Sequence, residues 1–90
     1  MTEIDGPIPI AISYGFVGHE QLSIDRVWQR DGTDRWAVRD GASMCINRET
    51  EGEYEPLPSS RTDEFMARCR FDTFEEALAI AHAWIRKQQS

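Results

Sequence analysis

Ile8, Ile10, Ile12, Tyr14 and Phe16 alternate with Pro9, Ala11, Ser13 and Gly15, a period of two that predicts a strand with one apolar face. Pro7 and Pro9 have no amide N–H to give to a ladder, so this strand is expected at a sheet edge. Gly15 and Gly18 predict a bend or bulge, with His19-Glu20-Gln21 as a loop. Leu22, Ile24 and Trp28 then share one parity, interrupted by Arg26, so residues 22–30 read as a second strand. Asp31-Gly32 is a hairpin-turn pair, because aspartate tolerates and glycine freely accepts left-handed backbone. It leads into Arg35–Arg39, where Trp36 and Val38 share a face. Asp40-Gly41 turns the chain again into Ser43–Asn47, where Met44 and Ile46 share a face. The last three strands form an antiparallel meander.

The period changes after Pro56 and Pro58, which exclude both a helix interior and a central strand. Ser59 and Ser60 precede Asp63 and Glu64, and hydroxyls ahead of an acidic first turn mark a helix start, here a short helix near residues 61–68 with Phe65 turned inward. Phe71 is a second anchor in the following link. Thr73 followed three positions later by Glu76 is a capping-box pattern. Phe74, Ala77, Leu78, Ala81, Trp84 and Ile85 then recur at helical spacing, and Arg86 and Lys87 suit a C-terminal turn. The expected fold is α+β: an antiparallel sheet of about four strands, three in a meander, with the short helix and the longer C-terminal helix packed on one face. Ninety residues make this a single domain spanning 1–90.

Charge changes the picture at one place. The chain carries 16 acidic and 10 basic residues, a formal net charge of −6. The window Glu49–Glu76 holds nine acids against three bases, and so contains the whole surplus. An acidic chain without a basic patch is not expected to bind nucleic acid directly, since that affinity rests on clustered Lys and Arg. No signal peptide, transmembrane run or lipidation motif is visible, so no membrane association and a cytoplasmic location in a host cell are expected. Cys45 and Cys69 lack a CxxC or metal-type spacing and read as reduced thiols, although their even number also allows a disulfide.

The chemistry offered by single motifs is thin. Glu49, Glu51, Glu53 and Glu55 would share one side of an extended backbone, and the plain explanation is a solvated acidic loop that keeps the protein soluble. Asp63, Glu64, Glu75 and Glu76 are explained by helix dipoles. No EF-hand loop is present, and paired-carboxylate catalysis needs a buried acid that a loop of exposed glutamates does not supply. His19 and His82 are the only histidines, and no GxSxG, HExxH or P-loop motif accompanies them. A non-enzymatic protein without catalytic residues, metal site or cofactor is expected. Trp28, Trp36 and Trp84 fit core positions, whereas Tyr54, flanked by Glu53 and Glu55, suits an interface anchor.

The run Glu53-Tyr54-Glu55-Pro56-Leu57-Pro58-Ser59-Ser60-Arg61-Thr62-Asp63-Glu64-Phe65, with Trp36–Arg39 before it and Arg70-Phe71 and Thr73–Ala79 behind, resembles small uncharacterised proteins of phages and mobile elements. The resemblance covers roughly residues 35–80 and carries no known activity or site. What it implies is company: compact acidic proteins of such elements often inhibit host defence, anti-CRISPR proteins among them. The expected function is therefore blockade of a host protein with a basic surface, a nucleic-acid-binding effector, through Glu49, Glu51, Glu53, Tyr54, Glu55, Asp63 and Glu64. The alternative is a homodimeric structural or regulatory accessory protein that assembles through the edge strand at Ile8, Ile10 and Ile12.

Overall fold

The structure, a computed structural model, describes residues 13–28 and 34–89. Five strands, β1 (Ser13–Phe16), β2 (His19–Trp28), β3 (Asp34–Asp40), β4 (Met44–Ile46) and β5 (Gly52–Tyr54), are followed by a 3₁₀ turn at Pro58–Ser60 and helices α1 (Asp63–Cys69) and α2 (Phe74–Gln88). The strands form one antiparallel sheet in the order β1-β2-β3-β4-β5. The α+β class is the expected one. No helix among the described residues is long and apolar enough to cross a membrane.

Several details depart from the sequence expectation. Ile8, Ile10, Ile12, both N-terminal prolines and the Asp31-Gly32 turn lie outside the described residues. β1 is an edge strand, its register slipping between Gly15 and Phe16. His19 is no loop residue: Val17 and Gly18, the latter at φ 83°, turn the chain at once so that Phe16 pairs with His19. Among the described residues the sheet has five strands rather than about four, because β5 is too short to show a period of two in sequence. What creates β5 is the turn before it. The Asn47 side-chain oxygen accepts the backbone N–H groups of Glu49 at 2.9 Å and Glu51 at 3.0 Å, while Thr50 takes a φ of 59° that β-branched residues rarely adopt.

The sheet has two differently furnished faces. On one, Leu22, Ile24, Val38 and Ile46 meet Ala77 and Ala81 of α2, and all six are buried. Alanines at the contact let the helix approach closely, so Phe74, Leu78, Trp84 and Ile85 of the expected stripe flank it as partly buried residues. Tyr14, Trp36 and Phe74 stack at one end, with Phe74 4.8 Å from Tyr14 and 5.3 Å from Trp36 between ring centroids. Phe71 completes this core by exchanging backbone hydrogen bonds of 2.8 Å with Trp36 in both directions.

The short helix does not share that face. Cys45 and Ile46 are neighbours on β4 and must point to opposite sides. Ile46 packs with α2, whereas Cys45 packs with Phe65 and Cys69 of α1. The two helices therefore cover opposite faces, which corrects the one-face expectation. Thr62, not Ser59 or Ser60, caps α1, its hydroxyl accepting the Phe65 N–H at 3.1 Å. Thr73 caps α2 as expected by accepting from Glu76 N, while the Glu76 carboxylate reaches back to Asp72 N.

Candidate functional site

Backbone pairing sets where the acids point. Cys45 lies opposite both Arg39 and Glu53, and Glu55 continues the β5 ladder through its N–H to Ser43 O at 2.8 Å. Arg39, Cys45, Glu53 and Glu55 therefore share the face on which α1 sits. Phe71 points to the α2 side in its bridge to Trp36, which turns Arg70 the other way, toward Glu55.

Glu55 is enclosed rather than displayed, its side chain only 6% exposed. Arg39 grips it through both oxygens, Nε to Oε1 at 2.8 Å and Nη2 to Oε2 at 2.7 Å. The same Oε2 accepts from Arg61 at 2.8 Å and from the fully buried Arg70 at 2.8 Å. Arg39 continues to Asp25 at 2.9 Å, and Asp25 accepts from Ser13 Oγ at 2.7 Å. One polar chain thus runs from the edge strand β1 across β2 and β3 to the segment after β5. Arg61 Nε and Arg70 Nη1 each also donate to a carbonyl, of Pro56 and Cys69 respectively. Burial alone would push the Glu55 carboxyl up. Arg39, by hydrogen bond and charge, and Arg70 overcome this and hold it at about 2. Burial lowers Arg61, and the like charges of Arg70 and Arg39 add to the effect against the opposing pull of Glu55. Hydrogen bonding to Glu55 raises Arg39.

Glu53 has a smaller version of this environment. Arg68 of α1 binds it through both oxygens at 2.9 and 3.0 Å, and the Asn47 amide donates to Oε2 at 2.9 Å. Arg68 first, then Asn47, hold the Glu53 carboxyl down at about 2. The expectation that Glu53 and Glu55 stand in an exposed acidic loop is therefore corrected: both are ligated from within, and they tie α1 and the proline-rich segment to the sheet. Neither has the raised pKa that a carboxyl acid catalyst needs.

The other expected site residues are outside these clusters. Glu49, Glu51, Asp63 and Glu64 are exposed and make no ion pair within the described residues. Tyr54 is 68% exposed, beside Leu57 at 69% and across the ladder from Met44 at 40%. Tyr54 and Leu57 rim an open groove of about 440 Å³ whose floor includes Asp25, Arg39, Glu55 and Arg61. Arg68 and Glu64 are one helical turn apart on α1 and feel each other's charge. No group of three His, Cys, Asp or Glu among the described residues is placed to hold a metal ion.

Sequence reasoning missed Asp25, Arg39, Asn47, Arg61, Arg68 and Arg70. A signal was present, since Arg61, Arg68 and Arg70 are the only bases in the acidic window. No protein-family model matches the chain, and neither a curated protein nor a solved structure matches it. The distinctive run from Glu53 to Phe65 nevertheless has a physical account here: Glu53 and Phe65 bind α1 to the sheet, Glu55 and the Pro56 carbonyl bind Arg61 just before it, and Thr62 caps its first turn.

Proposed function

We propose that this is a non-enzymatic binding protein that presents exposed carboxylates on a stiff frame to a basic surface of a host nucleic-acid-handling protein, as an inhibitor from a phage or mobile element. The observation that carries this reading is the uneven use of charge. All three bases of the Glu49–Glu76 window are engaged by Glu53 and Glu55. The remaining acids of the window have no base left within it, and Glu49, Glu51, Asp63 and Glu64 project into solvent. Phosphate mimicry requires negative groups at fixed positions. Glu53 and Glu55 serve the fixing, the outer four the contact, and Tyr54 supplies an aromatic anchor beside them. The site of action is the cytoplasm of the host. Anti-CRISPR proteins are the nearest functional model, a link that rests on the resemblance alone.

The test is capture of host proteins on the immobilised chain and on the variant Glu49→Lys/Glu51→Lys/Asp63→Lys/Glu64→Lys. Basic nucleic-acid-handling proteins should be retained by the native chain, released by added salt, and lost with the variant. Equal capture by both at all salt concentrations rejects the reading.

One observation favours the alternative of a homodimer. Among the described residues β1 is an edge strand, with Tyr14 45% exposed and Val17, in the turn after it, fully exposed, and an open edge can recruit a second copy. Light scattering separates the two. A stable dimer that Ile10→Lys dissociates supports assembly through the edge, and a monomer at micromolar concentration rejects it.

A further inference from the structure

Cys45 on β4 and Cys69 at the end of α1 are both fully buried and free. With Phe65 they make up the buried apolar cluster between α1 and the sheet, where the two cysteines pack together. Strand alternation delivers Cys45 to the α1 face, and helical spacing puts Cys69 on the same side of α1 as Phe65, four residues earlier. Neither residue is part of the ion-pair network, although Cys45 Sγ donates to the Glu53 backbone carbonyl at 3.5 Å and Cys69 helps to hold the Glu53 carboxyl down. We propose that Cys45 and Cys69 are a redox-active dithiol, a modification site that takes a low-molecular-weight disulfide as its oxidant and closes to a disulfide tying α1 to β4.

The surroundings divide the roles. Hydrogen bonding with Cys69 lowers the Cys45 pKa against burial and the charges of Glu55 and Glu53, and Arg70 assists. The same hydrogen bond, with burial, pushes Cys69 up. Cys45 is thus the attacking sulfur and Cys69 the resolving one. The Cys45 thiolate attacks one sulfur of the oxidant, whose S–S bond breaks to release one small thiolate. Cys69, on losing its proton, attacks the Cys45 sulfur of the mixed disulfide and expels the second. Two protein thiols are oxidised by two electrons, and one small disulfide becomes two thiols.

Access follows from the size of α1. Its seven residues are too few to form a helix without tertiary support, and only Phe65 and Cys69 of them are buried. Lifting α1 exposes both sulfurs without opening the α2 core. Closure then fixes α1 covalently where the Arg68–Glu53 pair and the Arg48 bonds to the Ala67 and Arg68 carbonyls otherwise hold it.

The experiment treats the full chain with oxidised glutathione at neutral pH and reads intact mass, free thiols and Tm. Closure lowers the mass by about 2 Da with loss of both thiols and raises Tm by about 10 °C or more. Cys69→Ser should stop at a single glutathione adduct on Cys45, and Cys45→Ser should react more slowly. Two stable adducts on the native chain, two thiols still free when a cysteine peptide has fully reacted, or a disulfide that leaves Tm unchanged would each overturn the proposal. These readings on the native chain decide the matter even if a serine variant fails to fold.

Discussion

The two faces of the sheet are held by different physics. Against α2 the contact is apolar and close, with Ile24, Val38 and Ile46 meeting Ala77 and Ala81. Against α1 it consists of three buried residues surrounded by carboxylates and guanidiniums. Burial of alkyl groups is insensitive to pH and tolerant of small geometric errors. A carboxylate sharing one oxygen among three guanidiniums is neither. Its stability lies in completeness, because every partner left behind by a loss is a desolvated charge. The α2 face behaves as an ordinary small core, and the α1 face as a unit that stands or falls together.

The comparison breaks most clearly at Glu55. Replacing Glu55 by Ala strands Arg70, which is wholly buried, among like charges, and is expected to cost about 3–5 kcal/mol in urea unfolding. On the other face Ile46→Ala, removing a fully buried side chain, should cost about 2–4 kcal/mol. The two variants part company under acid. Glu53 and Glu55 are held at about 2 and rise to about 4.5 when unfolded. Their contribution is complete above that unfolded value and disappears as pH falls through about 2. Roughly 2–3 kcal/mol should be lost from Glu55 across that window. Ile46→Ala should keep this slope, and Glu55→Ala should lose most of it. A Glu55→Ala protein with the native pH profile would show that the arginine cage contributes nothing.

Smaller effects sharpen the contrast. Thr73→Ala removes the cap of α2 and should lower stability by about 1 kcal/mol in thermal unfolding. Glu49→Lys with Glu51→Lys should change it by less than about 0.5 kcal/mol, since both are exposed and neither side chain has a partner among the described residues. Equal losses for the Glu49/Glu51 and Glu55 variants would erase the distinction between contact acids and structural acids.

Much of the frame was legible in the chain. The meander at β2–β4, the capped α2 with its stripe and the inward Phe65 all follow from period and turn chemistry, which are local properties. β5 was not legible, because three residues carry no period and the turn that makes them a strand depends on one Asn47 side chain. The fate of the acidic run was equally hidden. Glu51, Glu53 and Glu55 share one parity in the sequence, yet only Glu53 and Glu55 meet arginines.

The α+β class, the capped start of α2, its core stripe and the amount and sign of the surplus charge all follow from local pattern and composition. Tertiary structure alone decided which face α1 covers, which carboxylates are spent inside and that Cys45 meets Cys69. The reason is one of range. Turns, caps and periods are set by neighbours within a few residues, whereas an ion pair between Arg39 and Glu55 or a contact between β4 and α1 exists only once distant segments have been folded together.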